Sequence, residues 1–113
     1  MDKMNRNLDI IKSYFREVLD YLPSNADGLK TYLLVDDGHF VLLNHGHHNG
    51  KWYHAVLVHV ELKNNGEVWL LKDNTDLDVG NEIIKRGLNQ EELILGWLDE
   101  KTREAMKLMG YTA

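Results

Sequence analysis

Residues 52–73, WYHAVLVHVELKNNGEVWLLKD, constrain the fold of this chain more than any other stretch. Val56, Val58, Val60 and Leu62 alternate there with Leu57, His59, Glu61 and Lys63. A period of two sends alternate side chains to opposite faces of a half-buried strand. One face is then wholly aliphatic, while the other carries a histidine and a carboxylate. Asn64-Asn65-Gly66 supplies residues that tolerate positive φ, as a hairpin turn requires. Glu67-Val68-Trp69-Leu70-Leu71-Lys72 returns with β-branched and aromatic residues. A three-residue turn sets Glu61 opposite Trp69 and His59 opposite Leu71. His54 and His59, five apart, fall on opposite faces by the same alternation.

The remaining chain is read around this hairpin. In residues 2–22, Met4, Leu8, Ile11, Phe15, Val18, Leu19 and Leu22 recur at spacings of three and four, with Ile10 and Tyr14 at the margin. This is the apolar stripe of an amphipathic helix that covers one face of a sheet. Pro23 ends it, and residues 24–28 form a loop. Residues 29–35 and 39–44 predict two strands joined through Asp36-Asp37-Gly38, and His48-Asn49-Gly50 leads into the third. Four strands with short links predict an antiparallel meander, because parallel pairing needs a crossover. Beyond Asp73, Asn74-Thr75-Asp76 offers N-cap groups for a helix bearing Val79, Glu82, Ile83 and Ile84, closed by Gly87. Asn89 and Glu92 have the spacing of a capping box. One helical turn followed by extended chain is expected through 93–97. A last helix over 99–109 would turn Ala105, Met106 and Met109 inward. The expected architecture is therefore α+β: an N-terminal amphipathic helix, a four-stranded antiparallel β-meander, and two to three short C-terminal helices. Its 113 residues suffice for a single domain with one two-layer core.

Composition narrows the function. With no cysteine, neither a disulfide framework nor a thiolate site is available. No signal-peptide pattern and no apolar run long enough to span a bilayer is evident, so a cytoplasmic protein is expected. Net charge is −5, and the densest basic group, Lys101, Arg103 and Lys107, is interleaved with Glu100 and Glu104. Direct nucleic-acid binding draws on clustered cations, which are missing here.

Six histidines raise the question of a metal. His45 and His47 share a face if the second strand runs that far, and with a carboxylate they could begin a zinc site. No compact signature such as HExxH is present, however. The plainer reading makes His47 and His48 exposed turn residues, and His45, His54 and His59 partly buried hydrogen-bonding groups. His59 with Glu61, on one strand face, is the best acid–base pair, since a carboxylate can orient a histidine for proton transfer. No nucleophile, oxyanion donor or phosphate loop accompanies it, which weighs against a small His59/Glu61-dependent or metal-dependent hydrolase. Trp52, Trp69 and Trp97 are either core residues or anchors of an interface.

Together these residues resemble a known family. The run His54-x4-His59-Val60-Glu61-Leu62, then Val68-Trp69-Leu70, Asp73-x-Thr75-Asp76, Asn81-Glu82, Gly87 and Ile94-Leu95-Gly96-Trp97 is similar to the XisI family of cyanobacterial proteins. The opening MDKMNRNLDIIKSYFREVL resembles that family's first helix. Departures are the longer turn Asn64-Asn65-Gly66, Asp76 for a glutamate, Asn89 for a proline, and Leu98 for a histidine. The segment after residue 98 is only loosely similar. The resemblance implies an accessory controlling factor for excision of a DNA element during heterocyst differentiation. It also implies an XisH-like companion protein as partner, with a recombinase engaged indirectly, and neither cofactor nor catalytic residue carries over. A homodimer is a further expected assembly. The expected partner-facing or structural polar surface is His59, Glu61, Trp69, Leu71 and Asp73.

Overall fold

The structure, a computed structural model, describes residues 2–22 and 28–108, with side chains described as far as residue 105. In chain order the elements are α1 (Lys3–Tyr21), β1 (Leu29–Asp36), β2 (His39–His48), β3 (Lys51–Leu62), β4 (Val68–Asp73), α2 (Val79–Lys85), a 3₁₀ turn (Gln90–Glu92), β5 (Leu93–Leu95) and α3 (Glu100–Leu108). The strands form one sheet in the order β1-β2-β3-β4-β5. The first three pairings are antiparallel and the last, β4 with β5, is parallel.

Among the described residues the expected four strands are thus five. Val68, Trp69 and Leu70 pair with Leu93, Ile94 and Leu95. Three residues are too few to display a period, and the parallel pairing exists only because α2 and its flanking loops form the crossover that brings the chain back in the same direction.

Two-residue turns join the first strands. Asp37 and Gly38 have φ of 48° and 81°, and Asn49 and Gly50 have 52° and 79°. Two successive positive φ values give the turn whose twist matches that of paired strands. The second turn is therefore shorter than His48-Asn49-Gly50, and β2 continues through His48. Lys63 and Glu67 close the third connection, with the Lys63 amide donating to the Glu67 carbonyl at 2.8 Å. This sets Glu61 opposite Trp69, as the three-residue turn predicts.

Two bulges alter the faces. In β3, Leu42 pairs with Val58 and Leu43 with Val56, leaving Leu57 as an extra residue. Leu57 packs against the core beside Val58, so alternation restarts there and Val56 and His54 turn to the far face. The expectation that His54 and His59 point oppositely is corrected: both lie on the face away from the core. In β4, Val60 pairs with Leu70 but His59 with Lys72, so Leu71 is the extra residue and does not stand opposite His59.

The core lies between the sheet's inner face and two helices. Ile11, Tyr14, Phe15 and Val18 of α1 and Val79 and Ile83 of α2 are buried with Phe40, Leu42, Val58, Val60, Val68 and Leu70. Phe15 stacks on Phe40 with ring centroids 6.1 Å apart and planes 8° from parallel. The apolar stripe of α1 is rotated relative to the expected one, since Tyr14 is inside and Leu19 is on the exposed edge. Asp2 caps this helix by accepting from the Asn5 amide at 2.8 Å. Gly87, at φ 116°, ends α2. Its amide donates to Ile84 and that of Leu88 to Ile83, the paired bonds of a left-handed C-terminal cap. In α3, Ala105 is exposed rather than inward. Pro23, residues 24–27, and the side chains of Met106 and Met109 lie outside the described residues.

One buried polar node ties the ends together. Glu92, 3% exposed, accepts from Arg6 at 2.6 Å and from Asn7 at 3.3 Å. Asn7, fully buried, also donates to the Gly66 carbonyl at 2.7 Å. Asn89 and Glu92 form the expected capping box, in which the Asn89 amide donates to the Glu92 carboxylate at 3.3 Å. Helix α1, the β3–β4 turn and the approach to β5 are pinned at one point.

Candidate interaction face

Helices α1 and α2 cover the inner face of the sheet, which leaves the outer one as the surface to interrogate. Strand alternation from the buried Phe40 and Leu42 places His39, Val41, Leu43, His45 and His47 of β2 outward. Their register partners bring Trp52, His54, Val56, His59 and Glu61 to the same side. Trp69 joins them opposite Glu61.

At one end three groups meet. His39 Nδ1 and His59 Nε2 are 2.9 Å apart, so one ring donates to the other. His39 Nε2 is 3.5 Å from Glu61, whose other oxygen is 3.1 Å from Lys63 Nζ. Burial, and then the charge of neighbouring His39, lower the His59 pKa, with Glu61 opposing them. The anticipated His59–Glu61 pair is thus bridged through His39, a residue the sequence did not single out. An unbroken ladder from the Asn49-Gly50 turn would set His39 opposite Val60. The extra residue Leu57 moves it opposite Glu61. No local signal in β2 predicts that shift.

Trp69 is held from three directions. Its indole N–H donates to Glu67 at 3.2 Å, and Lys63 and the Arg103 guanidinium stand 5.1 and 5.4 Å from its ring. Arg103 also donates to the Leu98 carbonyl. Leu71 lies against Gly96, where an added Cβ would meet its side chain at 2.7 Å. Asp73, opposite the buried Val58, is not on this face. Its carboxylate accepts from the Thr75 amide and hydroxyl and from the Val79 amide at 3.1 Å, so it caps α2 in place of the anticipated Asn74-Thr75-Asp76 groups. The structure therefore sets Glu61 opposite Trp69, links it through His39 to His59, leaves Leu71 against Gly96, and sends Asp73 to the start of α2.

The other end of the face is aromatic and open. Tyr32 stacks on His45 at 5.3 Å, Trp52 lies 5.1 Å from His47 and 6.0 Å from His45, and His54 lies 6.4 Å from His45. Lys30 sits over Tyr32. Trp52 and Trp97 are 60% and 53% exposed, and none of the three tryptophans is a buried core residue. His45 and His47 do share a face, yet among the described residues no three His, Asp or Glu side chains converge to hold a metal ion. In the His39–His59–Glu61 group, no hydroxyl among the described residues is hydrogen-bonded to either ring. No described helix is long and apolar enough to cross a membrane.

Comparison with known proteins follows the same lines. A search of curated proteins finds no match. Among solved structures, a XisI-like protein from Anabaena variabilis ATCC 29413 superposes with a TM-score of 0.79 at 20% identity, over 90% of this chain and 94% of that one. The fdxN element excision controlling factor XisI of the same organism superposes with a TM-score of 0.73 at 23% identity, over 92% and 95%. At that identity the likeness is one of fold. The XisI protein family profile matches residues 1–110. Helix, sheet, crossover and family profile agree: the chain belongs to the XisI family.

Proposed function

We propose that this protein is a non-enzymatic controlling factor in the excision of a DNA element, acting by binding an XisH-like companion protein. One relative of the same fold is a fdxN element excision controlling factor, and family membership supports the same role here. The observation that carries the binding mode is the outer face of the sheet. It presents Trp52, Tyr32, Val41, Leu43 and Trp69, with Lys30 over Tyr32, Lys63 and Arg103 over Trp69, and Trp52 60% exposed. Large aromatics framed by polar groups are the usual anchors of protein interfaces. A chain of net charge −5 is also a poor direct ligand for duplex phosphates.

Mixing this chain with an XisH-like companion at micromolar concentration and separating by gel filtration tests the reading. Co-elution is expected, and it should be lost in Trp52→Ser with Trp69→Ser while circular dichroism stays native. Separate elution of the two wild-type proteins sinks the proposal.

A further inference from the structure

The first strand is a second open feature, and its own sequence indicates what fits it. Among the described residues β1 pairs with β2 alone, so the outer side of its backbone meets no other strand there. It runs eight residues in continuous register, without proline or bulge. An uninterrupted edge of this kind accepts a further strand. Leu34 and Val35, on its two faces, are 52% and 53% exposed. Lys30 and Asp36 carry opposite charges near its ends, and neither has an ion-pair partner among the described residues.

We infer that β1 joins two copies of this chain, antiparallel about a two-fold axis through Leu33. Residues directly opposite in an antiparallel pair share a face and touch. About Leu33, Lys30 of each copy faces Asp36 of the other, so the contact forms two equivalent ion pairs. Thr31 faces Val35, a β-branched pair, and Tyr32 faces Leu34, an aromatic–aliphatic pair. Leu33 meets its own counterpart. Both exposed aliphatic side chains gain a cross-strand neighbour. A shift of one residue sets Lys30 opposite Val35, or Asp36 opposite Thr31, and loses both ion pairs. This self-complementarity is what a closed two-fold interface requires. It selects a second copy over an unrelated acidic or basic partner, and it leaves the outer sheet face free for another protein.

The cysteine-free chain allows a clean test. Sedimentation velocity at micromolar concentration should show a dimer. Lys30→Asp should weaken it at least about tenfold, because each ion pair becomes a like-charge contact, and adding Asp36→Lys should restore it to within about threefold. Leu33→Cys should yield a disulfide-linked dimer on mild oxidation, because opposed Cα atoms about 4.5–5.5 Å apart fall in the bonding range. Trp52→Cys on the sheet face should stay monomeric under denaturing electrophoresis. A monomer at every concentration overturns the inference. So does a dimer indifferent to the charge exchange, or one that cross-links at Trp52→Cys and not at Leu33→Cys.

Discussion

Glu92 and His59 show how much a single side chain depends on what surrounds it. Glu92 is almost fully enclosed, while the Arg6 side chain is 41% exposed. The two are therefore unequal partners. Removing Glu92 frees Arg6 to reach water and leaves Asn7 its bond to Gly66. Removing Arg6 leaves a buried carboxylate whose one nearby cation among the described residues is Lys3, 3.7 Å away and half-exposed, beside the neutral donors Asn7 and the Asn89 amide. Losing one partner of a buried pair costs most when the group left behind stays buried. Arg6→Ala is expected to destabilise by about 3 kcal/mol and Glu92→Ala by about 2 kcal/mol in urea unfolding. The reverse order would contradict this account. At His59, burial and the charge of His39 lower the pKa below the ordinary 6.5. The folded state then binds fewer protons than the unfolded one, so stability is full above 6.5, declines as pH falls through that range, and levels off below the depressed value. His59→Gln should flatten this part of the stability–pH curve between pH 7.5 and 5, and an unchanged slope would dissociate His59 from it.

Elements form here for reasons of different range. The Asp37-Gly38 and Asn49-Gly50 turns are set by residues that accept positive φ, and α1 by an apolar stripe that follows a helical period, so both can be read from short windows of sequence. The start of α2 cannot. Its first amide is held by Asp73, six residues earlier, and the residue next to the helix, Asp78, sits at φ 55° without a side-chain cap bond. Asp73→Ala removes acceptors for Thr75 and Val79 and should cost about 1–2 kcal/mol, as other cap losses do. Because Asp73 lies on the core side, that change should leave companion binding intact once the protein is folded. A variant of native stability would show that the cap contributes nothing.

At the scale of the whole molecule the sheet has two unlike faces, and substitution should tell them apart. Leu42 is fully buried between β2 and the helices. Leu42→Ala should cost about 2–5 kcal/mol, the usual range for emptying a leucine site in a close-packed core. Trp52→Ser, on the exposed end of the outer face, should change stability by no more than about 0.5 kcal/mol and act on binding instead. Chemical denaturation of both variants checks the pair, and similar losses would mean that the outer face is also core.

By itself the sequence determined the first helix, the antiparallel hairpins, the Gly87 stop and the family signature, since each rests on contacts between residues close along the chain. Glu61 opposite Trp69 belongs to that group, because a three-residue turn fixes the nearby register. Only the tertiary structure decided the fifth strand, the Asn7–Glu92 node and the composition of the outer face. Each joins residues far apart along the chain, and for the outer face the device is a bulge. Leu57 is an extra residue in β3 because the core accepts both it and Val58, and that choice turns His54 outward and moves His39 from Val60 to Glu61. A bulge is chosen by packing across the sheet, where no window of the sequence can see it.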